Sequence, residues 1–148
     1  MVILRPADES DSLTLWQWRN DEASRAASLD THLVAWSDHE RWFAASLQNP
    51  SRLILMAVDD ALTSIGMVRF DFSNLDPASV SINVAPECRG RGLGQTILHL
   101  GLARARESRD GVKFIAQVRS GNEPSIRIFE REGFVRTAED DGIVTLLG

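Results

Sequence analysis

The chain has 148 residues, of which 43% are hydrophobic and 25% charged, and its formal net charge is −5. This length and composition are typical of a single globular domain, here residues 1–148, and exclude collagen-like and disordered chains. The acidic surplus argues against nucleic acid as a partner, since phosphate contacts need Lys and Arg. The apolar runs are too short to span a membrane and no signal peptide is recognisable, so the sequence predicts a cytoplasmic protein without a membrane partner.

Cysteine and histidine usage gives no sign of a disulfide or a metal site. Cys88 is the single cysteine, and the three histidines are spread over positions 32, 39 and 99 without the spacing of metal ligands. We therefore expect no metal in this protein.

The periodicity of apolar residues predicts an α/β protein. The first predicted helix places Leu13, Trp16 and Ala23 on one side, and the second begins with a capping box, Ser37-Asp38-His39-Glu40. The predicted elements are, in chain order, a strand at 2–5, a helix from 10 to about 25, a loop at 28–36, a helix from 37 to about 47, strands at 53–58, 62–72 and 79–85 joined by turns at 59–60 and 73–77, a helix at 93–108, a strand at 112–118, a helix at 123–132, and strands at 134–136 and 143–147. An antiparallel meander followed by strand-helix-strand units indicates a mixed sheet with helices on its faces.

The strongest motif is a glycine-rich connection between a predicted strand and a predicted helix, Arg89-Gly90-Arg91-Gly92-Leu93-Gly94. Glycines lack Cβ atoms, so backbone N–H groups can approach an anion, and the following helix directs its positive end to the same point. The two arginines add positive charge in an otherwise acidic chain. The spacing matches neither a Walker A loop nor Gly-x-Gly-x-x-Gly. The motif indicates a phosphate-binding loop, and a purely structural turn is the alternative.

A second motif runs from Asn122 to Gly133-Phe134. Together the two motifs resemble those of the GCN5-related N-acetyltransferases (GNAT), whose acetyl-CoA loop reads Gln/Arg-x-x-Gly-x-Gly/Ala, and the order of elements agrees over essentially the whole chain. The resemblance implies a GNAT-like fold, acetyl-CoA as acetyl donor and a primary amine as acceptor. It also implies a set of donor-binding residues: Asn83, Val84 and Ala85 through their backbone, Arg89, Gly90, Arg91, Gly92, Leu93 and Gly94 in the loop, and Asn122 and Ser125 at the next strand-helix junction.

Asn122 has a competing role, because Asn before a Glu-Pro-Ser run is a natural helix N-cap. Both roles remain open at this point. Many relatives protonate the departing thiolate with a tyrosine, but the matching residue is Phe129 and the chain contains no tyrosine. The catalytic residue is therefore unknown, with His39, Glu87 and Ser125 as weak candidates.

The acceptor side is predicted from the N-terminal region. The run Trp18-Arg19-Asn20-Asp21, followed by His39, is similar to a region of the N-acetyltransferases that act on nucleotide-linked amino sugars of the pseudaminic-acid type. This similarity implies that Trp18, Arg19, Asn20 and His39 line the acceptor site. Acetylation of a protein N-terminus and a non-catalytic acyl-CoA-binding module are the alternatives, and the protein is expected to be a monomer or a homodimer.

Overall fold

The computed structural model describes residues 1–73 and 76–148. The strands of the described residues are β1 Ile3–Pro6, β2 Arg52–Val58, β3 Ser64–Asp71, β4 Ala78–Val84, β5 Phe114–Arg119, β6 Val135–Asp140 and β7 Ile143–Leu147. Their helices are α1 Ser12–Asn20, α2 Glu22–Ala27, α3 Trp36–Gln48, α4 Leu93–Ser108 and α5 Glu123–Arg131, with 3-10 turns at Glu9–Asp11 and Pro86–Cys88. The predicted turn at 73–77 lies partly outside the described residues.

The strands form one mixed sheet in the order β1-β2-β3-β4-β5-β7-β6. Strands β2, β3 and β4 form the predicted antiparallel meander, and β4 and β5 are parallel neighbours. This parallel pair requires a crossover connection, which α4 supplies. The mixed α/β fold predicted from the sequence is confirmed.

Helices cover both faces of the sheet, as alternating side chains on β3 demonstrate. Val68 points toward α4, where a Cβ atom added at Gly101 would lie 2.8 Å from Val68 Cγ1. The next residue, Arg69, points to the opposite face, where its guanidinium carbon lies 5.1 Å from the ring centroid of Trp42 on α3. Successive side chains of a strand point to opposite faces, so α4 and α3 pack on different sides of the sheet.

The predicted helix at 10–25 is wrong in one respect, because two helices separated at Asp21 replace it. Asp21 has extended backbone angles, and its side chain accepts a hydrogen bond from the Ser24 N–H at 3.1 Å, so it begins α2. An Asp side chain that caps a helix competes with helix continuation at that residue. The predicted apolar side is also shifted, since Leu13 is 52% exposed whereas Leu15 and Trp18 are buried.

The predicted capping box at Ser37 is not formed. Helix α3 begins at Trp36, one residue earlier, and Ala35 precedes it without a side-chain cap. The Trp36 ring contacts the Trp16 ring edge to face, with the centroids 5.3 Å apart, and His39 is buried one turn further on. Packing of these rings against α1 therefore determines where the helix begins.

Candidate active site

The sheet opens between its two parallel strands. In the described part of the chain, β4 and β5 pair only at Ala78 with Phe114 and at Ser79 with Ile115. Beyond these positions β4 continues to Val84 and β5 to Arg119 without pairing to each other. The two strands therefore leave a gap in the middle of the sheet.

The backbone groups that face this gap follow from the pairing of β4 with β3. The Ala85 N–H donates to the Ile65 carbonyl at 2.9 Å, on the β3 side of the strand. Because backbone groups alternate in direction along a strand, those of Asn83 also point toward β3, whereas those of Ile82 and Val84 point into the gap. Of the predicted backbone contacts, Val84 faces the gap, whereas the N–H groups of Asn83 and Ala85 point toward β3, so their contact with the acetyl donor stays a prediction. Ile82, which was not predicted, also faces the gap.

The glycine-rich loop lies at the end of β4, directly before α4. Gly90 and Gly92 have φ angles of +80° and +73°, which favour glycine, and Gly92 is the N-cap residue of α4 without a side-chain cap. The first-turn N–H groups of α4 are thus free of a side-chain acceptor and carry the positive end of the helix dipole. This geometry suits an anion such as a phosphate group.

Close packing explains the last glycine of the motif. A Cβ atom on Gly94 would lie 2.9 Å from Ile128 Cδ1 of α5 and 3.5 Å from Val84 Cγ2. Gly94 therefore allows the first turn of α4 to approach β4 and α5 at once. Leu93, the first residue of α4, is partly buried against the core.

The two arginines of the loop have different surroundings. Arg89 donates to the Asp21 carboxylate at 3.0 Å and to Ser24 Oγ at 2.6 Å, and its hydrogen bond to Asp21 is the main reason why the pKa of that carboxyl lies below its ordinary value. Arg91 is exposed and donates to the Glu87 carbonyl at 3.4 Å. Arg89 thus ties the loop to α2, and in the described residues the charge of Arg91 has no acidic partner.

The second junction lies at the end of β5. The Asn122 side chain accepts a hydrogen bond from the Ser125 N–H at 3.3 Å, so the capping role of Asn122 is formed. Asn122 also lines a cavity of about 580 Å³ between α2 and the β5–α5 connection. The predicted contact of Asn122 with acetyl-CoA is compatible with this position, because capping uses only the side-chain oxygen and leaves the amide nitrogen available.

None of the catalytic candidates has the surroundings of a general acid or base. Phe129 is 2% exposed and packs against Phe134, with ring centroids 5.1 Å apart, so its ring belongs to the core. Glu87 is exposed and Ser125 is partly buried, and neither side chain takes part in a hydrogen bond in the described structure. Cys88 is buried at 8% exposure.

The predicted acceptor residues are mostly structural. Trp18 is 6% exposed and lies in the hydrophobic core. The Asn20 amide donates to the Val34 carbonyl and accepts from the Val34 N–H, both at 2.8 Å, so it fastens the segment before α3. The structure therefore gives the Trp18 and Asn20 side chains packing and pairing roles, and their contact with the acceptor stays a prediction.

His39 is also part of the packing between α1 and α3. It is 5% exposed, stacks on the Phe43 ring with a centroid distance of 5.7 Å, and has its Nε2 2.9 Å from the Ser12 carbonyl oxygen. Burial lowers its pKa, so the neutral ring is favoured. The His39 side chain is thus used in packing, as that of Trp18 is, and its contact with the acceptor stays a prediction.

Arg19 keeps an unused donor. Its Nη2 donates to the Asp30 carbonyl at 2.8 Å, but its Nη1 is buried without a hydrogen-bond partner in the described residues. Sequence reasoning missed a second arginine, Arg69, on the same side of the sheet. An arginine between the apolar residues Val68 and Phe70 of β3 was the available signal.

Comparisons with known proteins agree with this geometry. Residues 1–135 match the family model of the acetyltransferase (GNAT) domain. The Bacillus subtilis (strain 168) protein YwnH, whose name assigns it provisionally to phosphinothricin acetylation, is 30% identical over 132 residues, which cover 85% of this chain and 78% of that protein. The chain belongs to the GNAT acetyltransferase family, an enzyme family that uses acetyl-CoA as the acetyl donor.

Solved structures share the fold over the whole chain. The spermidine N-acetyltransferase of Vibrio cholerae, solved with CoA and spermine, has a TM-score of 0.86 at 16% identity and covers 99% of this chain and 92% of its own. The structure of yncA from Salmonella typhimurium, solved with acetyl-CoA, has a TM-score of 0.81 at 22% identity. The match covers 100% of this chain and 93% of the yncA chain. At these identities the likeness concerns the fold alone. Among the helices of the described residues, none has the length and apolar character needed to cross a membrane.

Proposed function

We propose that this protein transfers the acetyl group of acetyl-CoA to the primary amine of a small molecule that binds on the α1–α3 side of the sheet. The observation that carries the proposal is the gap between β4 and β5, which ends at the uncapped first turn of α4. An extended donor can pair with β4 inside the gap while its diphosphate contacts the N–H groups of the loop.

The reaction needs few side chains. The neutral amine attacks the thioester carbonyl carbon, a C–N bond forms, the C–S bond breaks, and the CoA thiolate leaves. The Ile82 and Val84 N–H groups that face the gap are the available donors for the oxygen that gains negative charge. Holding both reactants in one gap supplies the proximity that replaces a bimolecular encounter.

Protonation of the leaving thiolate is assigned to water. Phe129 has no proton to give, and its ring is buried away from the solvent. The proton released by the amine after attack can pass to the thiolate through solvent, because Glu87 and the loop before α4 are exposed.

The acceptor class predicted from the N-terminal run was a nucleotide-linked amino sugar. Of the residues behind that prediction, Arg19 alone keeps a free donor in the described structure, so it is the residue that would contact a sugar diphosphate. A protein N-terminus remains the alternative acceptor. The test therefore includes both classes of acceptor, amino-sugar nucleotides and N-terminal peptides.

The test combines donor binding with turnover. Calorimetry with CoA is expected to give saturable binding, and acetyl-CoA with a panel of amino-sugar nucleotides, amino acids, polyamines and N-terminal peptides is expected to release free thiol with at least one small amine. Binding of CoA without thiol release for any amine would contradict the proposed transfer. Turnover of peptides alone would replace the small molecule by a protein N-terminus.

A further inference from the structure

Arg69 lies on the acceptor side of the gap without a counter-ion of its own. It is opposite Ser81 in the β3–β4 pairing, two residues beyond the last position at which β4 pairs with β5. Its guanidinium carbon lies 5.1 Å from the centroid of the Trp42 ring. In the described residues no hydrogen bond or ion pair reaches this guanidinium.

The surrounding charges leave an excess of positive charge. The acid on the same face of β3, Asp71, is paired with Arg52 at 2.9 Å, and Arg52 also lies over the Trp42 ring, 5.6 Å from its centroid. Burial lowers the pKa of Arg69, the positive charges of Arg52 and Arg19 lower it further, and Asp71 opposes them. Among the described residues, the charges of Arg52 and Arg19 act on Arg69 together with that of Asp71, while Asp30 also interacts with Arg19, so three arginines face two carboxylates.

Arg19, on α1, also has a hydrogen-bond donor that no described residue satisfies. Its Nη1 is buried and has no partner among the described residues, although Nη2 is satisfied by the Asp30 carbonyl. A buried charged donor without a partner is costly, and native structures usually satisfy such groups with protein, water or a ligand. The forked donors of a guanidinium group match the oxygens of a planar or tetrahedral oxyanion, and the charge of Arg19 acts on Arg69.

We propose that Arg69 and Arg19 bind an anionic oxyacid group of the acceptor, a carboxylate or a phosphonate, beside the ring of Trp42. This inference rests on the proposed acetyl transfer and names its substrate class as small amines that also carry an anion. Trp42, which lies beside Arg69, is 37% exposed.

Position along β4 limits the distance between the anion and the amine. Arg69 is level with Ser81, while Ile82 and Val84 carry the N–H groups that face the gap. At about 3.3 Å per residue these donors lie roughly 3 to 10 Å further along the strand. The amine and the anionic group of the acceptor are therefore a few bonds apart, as in an amino acid.

The first experiment compares matched acceptors. Each L-amino acid in a panel is compared with its carboxamide as acetyl acceptor. The panel also contains 2-aminoethylphosphonate, which carries a phosphonate, and polyamines, which carry no anion. The acids are expected to be preferred over the amides in kcat/KM by about tenfold or more, because each lost charge-assisted pair weakens binding by that factor. Equal rates for acids and amides would overturn the inference.

Substitutions of Arg69 test whether this residue causes the preference for acids over amides. In Arg69→Met the KM for the preferred acid is expected to rise about tenfold or more while the Kd for CoA stays unchanged, and Arg69→Lys should recover part of the loss. The control is Arg104→Met, which replaces an exposed arginine of α4 that donates to the Leu4 carbonyl, and it should keep the acid preference. A preference that survives in Arg69→Met would also overturn the inference.

A thermal shift separates this site from the acetyl transfer. Inorganic phosphate or acetate near 100 times its Kd is expected to raise the melting temperature of the unmodified protein by roughly 5 to 10 °C relative to chloride at equal ionic strength. The same anions should raise the melting temperature of Arg69→Met less than that of the unmodified protein, since the glycine-rich loop that can also bind phosphate is present in both. If no amine is acetylated but the shift is larger with Arg69 than with Met at this position, the anion site stands and the proposed transfer fails. If Arg69→Met and the unmodified protein respond alike, the anion site fails.

Discussion

Two glycines with the same backbone angle provide a matched test of the donor loop. Gly92 and Gly111 both have φ of +73°, and a Cβ atom added at either position would meet no heavy atom within 4 Å. An alanine in this left-handed region costs about 1–2 kcal/mol. Because 1 kcal/mol shifts the melting temperature of a protein of this size by about 2–4 °C, each variant should melt roughly 2–8 °C lower.

The two variants should differ in donor binding. Gly92 is the N-cap of α4, whereas Gly111 lies beyond the other end of that helix, before β5. In Gly92→Ala, strain is relieved by turning the peptide groups whose N–H bonds would hold the phosphate. Loss of one hydrogen bond to a charged group, about 1.5–3 kcal/mol, raises the Kd for CoA roughly 10- to 150-fold.

Calorimetric titration with CoA on folded protein measures this difference. Gly111→Ala is expected to bind CoA like the unmodified chain at the same temperature. Equal weakening in both variants would mean that general destabilisation is the cause. Unchanged affinity in Gly92→Ala would refute the assignment of the loop to the diphosphate.

Three further substitutions test the packing and the charges around the site. Asn122→Ala removes the cap of α5, about 1 kcal/mol, so melting should occur roughly 2–4 °C lower and the KM for acetyl-CoA should rise; an unchanged KM with reduced stability would limit Asn122 to capping. Gly101→Ala brings a methyl group to 2.8 Å from Val68 Cγ1, and urea unfolding should report a loss of about 1–3 kcal/mol, whereas no loss would mean that α4 shifts freely. The pKa of Asp71 is lowered from 3.8 to about 2, first by its hydrogen bonds from Ser73 and Arg52, so its carboxylate stabilises the fold above about pH 4 and this contribution is lost as the pH falls through about 2. The difference in unfolding free energy between the unmodified chain and Asp71→Asn should therefore reach up to about 2 kcal/mol near pH 5 and shrink toward pH 2, and a pH-independent difference would contradict this assignment.

Local signals were sufficient for the second half of the chain. Helix α4 begins and ends where predicted, at Leu93 and Ser108, because glycines precede it and the apolar spacing is regular. Strand β6 extends to Asp140, well beyond the predicted 134–136. The prediction was too short because all residues of the strand are exposed, so no alternation of buried and exposed residues marks it. Its pairing with β7 determines its length, and pairing is not visible in the sequence.

The acceptor side could not be predicted in the same way. Trp18 and Asn20 were predicted from the similarity of the Trp18-Arg19-Asn20-Asp21 run to a region of other acetyltransferases. Only the structure reveals that Trp18 is buried and that the Asn20 amide pairs with the Val34 backbone. Arg69 was overlooked because its neighbours on β3 are apolar, and the face to which it points depends on the register with β4. The donor loop was found because its glycines and arginines are contiguous in the chain.

The early separation of β4 from β5 gives this sheet an interior edge. Sheet edges normally lie at the periphery, where proteins protect them against pairing with other chains. Here the unpaired N–H and C=O groups of Ile82 and Val84 lie between two strands of the same molecule. In the proposed complex, the thioester arm with its amide groups would pair with β4 as an additional strand. Binding of the acetyl donor would then hold the two halves of the sheet together more firmly.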